Sequence, residues 1–221
     1  MENLIVRCSE LHRLMTKSRT KSNPLGDTCK TYVMEKAKET HYGIRPNFSN
    51  KYTEKGLMNE NKGIDLVNMF RFMNFKKNTK RLTNGYITGE CDINGYDRII
   101  DIKCSWSFDT FPCFKEEAFK QVKKSGYDWQ MVGYMWLYNK EKAEVIYCLT
   151  STPGELLGYN DEPLLHNVDH IDPADRLTSV TVERNLELEE QIIEKYEMAN
   201  TYYKECLAEL NNKHKKQEAW I

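Results

Sequence analysis

The sequence lacks the cysteine spacing of a zinc site or of a disulfide framework. Its seven cysteines are odd in number and contain no C-x-x-C pair. Secreted disulfide-rich domains and structural zinc sites need paired or closely spaced cysteines. We therefore expect free thiols, no iron–sulfur cluster and a reducing compartment such as the cytoplasm.

Long apolar runs are absent as well. No stretch approaches the roughly 18 consecutive apolar residues that a membrane-spanning helix needs, and residues 1–7 lack the basic flank and apolar core of a secretory signal. Internal repeats and low-complexity segments are also missing. With 40% hydrophobic and 29% charged residues in 221 positions, the chain fits one globular domain (1–221) that makes no membrane contact.

Charge of the two signs is unevenly distributed, although the net charge is only −1. Residues 1–90 contain 17 Lys and Arg against 9 Asp and Glu, whereas residues 91–221 contain 15 against 24. This polarity fits a basic surface that leads nucleic acid to an acidic site. A solvated surface of mixed charge explains the same counts equally well.

The strongest local pattern predicts a β-hairpin. Asn94-Gly95 lies between two alternating runs, 86–93 and 96–104, and a type I′ turn needs two central residues that accept positive φ. Residues two apart in a strand share a face. We therefore expect Asp101 and Lys103 on one face of the second strand.

The predicted hairpin also brings a second carboxylate, Asp92, near Asp101 on the neighbouring strand. Two facing carboxylates repel each other unless a proton or a cation lies between them, and Mg²⁺ prefers such oxygen ligands. The pattern is typical of a metal-dependent phosphodiesterase centre. An ordinary solvated ion pair between Asp101 and Lys103 is the alternative.

Hydrophobic periodicity and breaker residues predict helices before and after the hairpin, with one more strand between them. The predicted helices cover 5–16 with Ser9 as N-cap, 27–40, 54–72 with Leu57, Ile64, Val67 and Phe70 inward, 115–124, 127–139 and 187–216; the further strand covers 143–151. This order predicts a mixed α/β fold in which helices flank a mixed sheet.

Four motifs in order resemble those of the PD-(D/E)XK nucleases, in the branch of the phage lambda exonuclease and the RecB-like (YqaJ-like) phage exonucleases. Asp92 and Asp101-Ile102-Lys103 match the core signature. Glu60 ends a G-x-x-x-E motif on the preceding helix, and Gln130 and Tyr134 form a Q-x-x-x-Y motif. The resemblance implies a restriction-endonuclease-like core with a catalytic hairpin in a mixed β-sheet.

The resemblance also implies a role for each of these residues. Glu60, Asp92, Asp101 and the Ile102 carbonyl are expected to bind Mg²⁺ or Mn²⁺, in a pair of ions, and Lys103 is expected to orient or deprotonate the attacking water. Gln130 and Tyr134 are expected to hold the substrate phosphate or the lysine.

The first 50 or so residues resemble the DNA-end-binding segment of this branch. The correspondence places binding of the DNA 5′-phosphate on Ser9 and Arg19. A further arginine of the family, seven residues before the serine, is replaced by Glu2 here. Arg7 and Arg13 are candidate replacements.

The activity implied is that of a phage-type 5′–3′ double-strand exonuclease for recombination or DNA end processing, acting in the bacterial host cytoplasm. A single-strand or structure-specific endonuclease of the same fold remains an alternative, as does a non-catalytic DNA-binding partner of a recombinase. A single-strand annealing recombinase or a single-strand-binding protein is an expected partner, and the branch implies a trimeric ring. Iron–sulfur nucleases share the Q-x-x-x-Y motif but need clustered C-terminal cysteines, and only Cys206 lies there.

Overall fold

A computed structural model describes residues 2–18, 24–47 and 49–218, with side chains described up to residue 213. The helices in these ranges are α1 (Leu11–Leu14), α2 (Asp27–Tyr42), α3 (Lys51–Arg71), α4 (Lys115–Ser125), α5 (Tyr127–Tyr138), α6 (Pro163–His166) and α7 (Leu186–Glu218). The strands are β1 (Val6–Arg7), β2 (Leu82–Thr83), β3 (Ile87–Gly89), β4 (Ile93–Asn94), β5 (Arg98–Ser105), β6 (Lys142–Leu149) and β7 (Leu177–Glu183).

These strands form two mixed sheets. The smaller has the order β1-β3-β2, with β1 parallel and β2 antiparallel to β3. The larger has the order β4-β5-β6-β7, in which β5 and β6 are parallel and the two outer pairs are antiparallel. Helices α4 and α5 make the crossover that parallel pairing of β5 and β6 requires. The predicted fold class, a mixed sheet flanked by helices, is confirmed.

Side chains alternate between the two faces of β5, and each face contacts a different apolar cluster. Ile100 and Ile102 pack with Ile64 and Val67 of α3, whereas Ile99 belongs to the larger cluster with α5, α2 and α7. Asp101 and Lys103 therefore share the α5 face of the strand, as the alternation predicts. The catalytic candidates are thus held on a strand whose other face is anchored in an apolar core.

Helix α3 is fixed at its start and at its middle. The Asn50 side chain accepts hydrogen bonds from the backbone N–H groups of Tyr52 and Thr53, which satisfies two of the free donors at the helix N-terminus. At Gly63 the helix lies directly on β5, where a Cβ would be 2.6 Å from Ile102 Cγ2. Contact this close needs a glycine and sets the distance of α3 from the sheet.

The predicted hairpin turn is wrong. The hairpin turns at Tyr96-Asp97, with a hydrogen bond from Gly95 N to Arg98 O and the pairs Ile93↔Ile100 and Asn94↔Ile99. Neither Asn94 nor Gly95 has the positive φ of a type I′ turn. The first run, 86–93, is also not one strand, because β3 belongs to the smaller sheet and only β4 pairs with β5.

Three other predictions about local structure are corrected. The segment 5–16 is not one helix capped by Ser9; it forms β1, a 3₁₀ turn over Cys8–Glu10 and the short α1. Leu57 and Phe70 of α3 are exposed rather than inward. Strands β2 and β7 were not predicted; β7 pairs with β6 along seven residues and completes the larger sheet.

Within the described ranges, no helix is both long enough and apolar enough to span a bilayer. This agrees with the lack of long apolar runs in the sequence.

The close approach at Gly63 predicts a difference between two glycines of the same helix. Gly63→Ala should destabilise the protein by about 1–3 kcal/mol, because the new methyl group overpacks the contact with Ile102. Gly56→Ala is the matched control, since a Cβ there meets nothing within 4 Å, and it should be neutral or stabilising by up to about 1 kcal/mol. Urea unfolding measures both; equal effects would contradict the proposed contact.

Candidate functional site

One cleft of about 780 Å³ gathers nearly all the predicted site residues. Its walls come from α3, β5, α5 and the N-terminal 3₁₀ turn. The predicted residues that line it are Ser9, Glu60, Asp92, Asp101, Ile102, Lys103, Gln130 and Tyr134. Arg19 lies outside the described residues.

The two carboxylates of the core signature meet at the middle of this cleft. Asp92 Oδ2 accepts a hydrogen bond of 2.6 Å from the backbone N–H of Ile102, so Asp92 lies beside the strand that carries Asp101. Burial first, and the nearby Asp101 carboxylate second, raise the pKa of Asp92 to about 8. Both causes favour the protonated form of Asp92.

Asp101 is almost fully buried and incompletely satisfied. Its Oδ1 accepts a bond of 3.3 Å from the Gln130 amide. The Lys103 ammonium lies 2.7 Å from Oδ2, but it does not approach with hydrogen-bond geometry, and Oδ2 has no hydrogen-bond partner within the described part of the chain. The charge of this oxygen is therefore balanced by an ion pair with Lys103 rather than by an aligned hydrogen bond.

Lys103 is held as an ammonium in this arrangement. Burial alone would lower its pKa, but the carboxylate of Asp101, with smaller contributions from Tyr127 and Asp92, outweighs burial and raises the pKa above the ordinary value. The ring of Tyr127 lies against the ammonium, with 4.4 Å between Nζ and the ring centroid. Such a cation–π contact fixes the direction of a flexible lysine.

Tyr127 is a site residue that no motif spacing marks. It is the first residue of α5, immediately after Gly126, whose φ of +70° ends α4. The left-handed glycine is the C-cap of α4 and turns the chain so that α5 begins over β5. Only the three-dimensional crossover brings this ring to Lys103.

The Q-x-x-x-Y motif supports Asp101 from α5. Gln130 Nε2 donates to Asp101 and also to the Tyr134 hydroxyl at 3.0 Å, and that hydroxyl donates to the Glu90 carbonyl at 3.0 Å. Both side chains are buried. The structure thus shows them orienting a carboxylate, whereas direct binding of substrate stays a prediction.

Glu60 reaches the cleft from α3 but already has a partner. Its Oε1 forms an ion pair of 2.9 Å with Lys77. The Glu60 charge raises the pKa of Asp92 less than the Asp101 charge does. This indicates that Glu60 lies at the edge of the carboxylate pair.

The donor set fits a hard divalent cation. Asp92 and Asp101 supply two carboxylates, and the Ile102 carbonyl faces the same edge because N–H and C=O of one strand residue point to the same side. Mg²⁺ binds one or two carboxylates and completes its shell with water and phosphate oxygens. Over the described ranges no three acidic, histidine or cysteine side chains form a complete protein cage, so solvent or substrate would supply the other ligands.

A buried lysine outside the motifs fixes one wall of the cleft. Lys55 of α3 donates to the carbonyls of Trp106 and Thr150 and to Thr152 Oγ1, each at 2.8 Å. Burial lowers its pKa to about 8. These bonds tie α3 to the segments that follow β5 and β6, and the sequence pattern offers no sign of them.

The rim of the cleft carries Ser9 and Arg7. Ser9 is exposed in the 3₁₀ turn, and Arg7 precedes it in β1. Arg7 lines the cleft, whereas Arg13 is paired with Glu35 at 2.7 Å. Of the two candidate replacements for the arginine missing at Glu2, Arg7 is therefore the one that faces the cleft.

No protein-family model matches the chain, and no curated protein matches it. Among solved structures, the chain is similar to a phage-related exonuclease from Haemophilus somnus 129PT, with 38% identity, 94% of this chain and 97% of that chain covered, and a TM-score of 0.89. It is also similar to the alkaline exonuclease LHK-Exo from Laribacter hongkongensis, at 14% identity, with 96% and 94% covered and a TM-score of 0.66. The complex of LHK-Exo with dAMP matches at 15% identity, with 98% and 95% covered and a TM-score of 0.63.

The LHK-Exo matches show a shared fold alone, since their identities are low. The Haemophilus somnus match covers nearly the whole of both chains at a much higher identity, and the residues of the four motifs are gathered in one cleft. The chain belongs to the phage-related exonucleases, in the lambda-exonuclease-like branch of the PD-(D/E)XK nucleases.

Proposed function

We propose that this exonuclease hydrolyses DNA phosphodiester bonds with Mg²⁺ or Mn²⁺, from the 5′ end of a duplex. The observation that carries the proposal is the carboxylate pair of half-buried Asp92 and buried Asp101, with Lys103 beside it, in an open cleft. Such a carboxylate pair suits a divalent cation, and the cation in turn binds phosphate oxygens of the substrate.

Asp92, Asp101 and the Ile102 carbonyl would hold the metal, with Glu60 available from α3 once it leaves Lys77. When bound, a pair of divalent ions supplies charge that stabilises the attacking and leaving oxygens of the phosphodiester. Gln130 keeps Asp101 oriented, because its amide donates to Oδ1. Tyr134 in turn fixes Gln130.

Lys103 is the group that donates a hydrogen bond to the attacking water or accepts its proton. While Asp101 faces it at 2.7 Å, the lysine stays protonated and can only donate. Once other charges neutralise Asp101, Lys103 loses the support that raises its pKa and moves toward the range of a general base. The Tyr127 ring keeps the Lys103 side chain in the same orientation while its pKa changes.

Recognition of a DNA end is assigned to Ser9 and Arg7 at the rim. The Ser9 hydroxyl and the Arg7 guanidinium suit a terminal phosphate, since both donate hydrogen bonds and one is cationic. A 5′-phosphate held there would leave the first phosphodiester over Asp92 and Asp101. Association with a recombinase and assembly into a ring stay predictions.

Removal of the lysine should abolish cleavage. Lys103→Ala should lower the rate by about 10²–10⁴-fold, as expected for loss of a general acid–base group, while the protein keeps its fold. The measurement is release of label from a linear duplex that carries it at the 5′ or the 3′ end, with Mg²⁺ present. Wild-type protein should release the 5′ label first.

Lys62→Ala is the control, because Lys62 is exposed on α3 and lines a separate hollow that shares no residue with the cleft. Its rate should equal that of the wild type. Full activity of Lys103→Ala would exclude the assigned role, and cleavage of circular single-stranded DNA would exclude strict dependence on an end.

Metal uptake should release a proton below pH 8. Asp92 is protonated in the folded metal-free protein up to a pKa of about 8, whereas its ordinary value is 3.8. Between pH 3.8 and about pH 8 the folded state binds one more proton at Asp92 than the unfolded state does, so the contribution of Asp92 to the free energy of unfolding falls as pH rises. A metal ion that binds Asp92 must displace this proton. Apparent Mn²⁺ affinity should rise by about tenfold per pH unit from pH 6 toward pH 8.

Calorimetry in buffers of different ionisation enthalpy counts that proton, which should be about one per protein at pH 7. Asp92→Asn should bind Mn²⁺ more weakly and release none. Equal release by this variant would place the proton on another group.

The ring of Tyr127 should matter more than its hydroxyl. Tyr127→Leu should lower kcat by about 3- to 30-fold with little change in KM, since a partly buried cation–π contact contributes about 0.5–2 kcal/mol. Tyr127→Phe keeps the ring and should stay within about twofold of wild type. Steady-state kinetics on a duplex substrate separate the two; equal losses in both variants would assign the effect to the hydroxyl.

A further inference from the structure

A second groove lies next to the catalytic cleft. It runs along α2 and the segment 44–47, has a volume of about 1010 Å³, and is called the α2 groove here. Arg7 lines both the α2 groove and the cleft that holds Asp92 and Asp101. The two cavities therefore meet at one guanidinium.

The α2 groove has more positive charge than its carboxylates neutralise. Three acidic residues of its lining are engaged: Glu35 pairs with Arg13, while Glu10 and Glu39 pair with Lys36. Three further cations, Arg7, Lys38 and Arg45, have no carboxylate within ion-pair distance in the described part of the chain. These three cations are therefore available to bind an anion.

Like charges are crowded where the groove joins the cleft. Arg7, Arg45 and Arg81 line one adjoining hollow, and Arg7 is half-buried there. Burial first and Arg45 second lower the pKa of Arg7, and Arg81 adds a weaker lowering; Glu10, and more weakly Glu39, oppose them without cancelling the shift. The ion pair between Arg81 Nη2 and Glu90 Oε2 is long, at 3.5 Å, and so neutralises Arg81 weakly. Guanidinium groups that repel one another in this way suit phosphate, which each can bind through two hydrogen bonds.

Apolar side chains lie among these cations. Tyr42 is 58% exposed and Ile44 is 68% exposed, and both line the groove. The edge of the His41 ring contacts Tyr42, with 4.6 Å between centroids, which fixes the tyrosine ring at the end of α2. An exposed ring beside cations is the pattern of surfaces that stack bases and track a phosphate backbone.

We propose that the α2 groove binds single-stranded DNA, namely the uncut strand as it leaves the catalytic cleft past Arg7. The proposal rests on the proposed function, which places the hydrolysed strand over Asp92 and Asp101. A base of the uncut strand stacks on Tyr42, and its phosphates contact Arg45 and Lys38. A duplex would have its bases paired and could not use the tyrosine ring.

The test compares a blunt hairpin duplex with the same duplex carrying a 3′ tail of ten thymidines. Binding is measured by fluorescence anisotropy in EDTA, so that no hydrolysis occurs. The tail should strengthen binding to the wild type, and Arg45→Glu should remove about fivefold or more of that gain while leaving blunt-duplex binding unchanged. For this variant, the slope of the logarithm of the tail-binding constant against the logarithm of salt concentration should become shallower by about one.

Tyr42 separates stacking from charge. Tyr42→Ala should lose about fivefold or more of the gain from the tail without a change in salt dependence, because stacking on one ring contributes about 1–3 kcal/mol. Tyr42→Phe keeps the ring and should behave as the wild type. Lys62→Glu makes the same charge reversal as Arg45→Glu at an exposed site that shares no lining residue with the groove, and it should also behave as the wild type.

Three outcomes would overturn the proposal. They are a wild-type protein that gains nothing from the tail, a gain that survives both Arg45→Glu and Tyr42→Ala, and a gain that Lys62→Glu removes equally. A 5′ tail that depends on Arg45 in place of the 3′ tail would show that the groove takes the other strand. Because binding is measured without divalent ions, a wild type inactive with Mg²⁺ would refute the proposed function and leave this result readable.

Discussion

The candidate site depends on the approach of two carboxylates, half-buried Asp92 before β4 and buried Asp101 on β5. Buried charges are costly unless partners replace the lost water. Here the Ile102 amide bonds to Asp92, the Gln130 amide bonds to Asp101, and Lys103 faces the second oxygen of Asp101. Burial first and repulsion by Asp101 second raise the pKa of Asp92, which favours a proton on the carboxylate that a metal cation would suit.

This approach is set by hairpin register, and register was not predictable from the turn. A turn at Asn94-Gly95 would place Asp92 opposite Asp97, whereas the observed pairs, extended by one residue, place it opposite Asp101. Ile93 and Ile100 are paired and fully buried against α3. Burial of these two side chains outweighs the local preference of Asn-Gly for a turn, and the resulting register creates the carboxylate pair.

The parts that sequence could predict are those that depend on neighbours along the chain. Alternation along β5 puts Asp101 and Lys103 on one face, and helical spacing puts Gln130 and Tyr134 together on α5. Tyr127 and Lys55 could not be found in this way, because their partners, Lys103 and Trp106, are reached only through the crossover and through helix packing. Strand β1 was hidden for the same reason: two residues carry no period, and pairing with β3 alone makes them a strand.

The smaller sheet links Arg7, the proposed phosphate-binding residue, to the strand that leads to Asp92. Arg7 of β1 pairs with Thr88 of β3, and the chain runs from Thr88 through Glu90 to Asp92 within four residues. The backbone of Arg7 is therefore tied to that of Asp92, the proposed metal ligand. Movement of Arg7 relative to Asp92 would require β1 to separate from β3, where Val6 and Ile87 are fully buried. The cations of residues 1–90 that would contact DNA phosphates are thus held, through this sheet, at a defined backbone position relative to the carboxylates that would take part in cleavage.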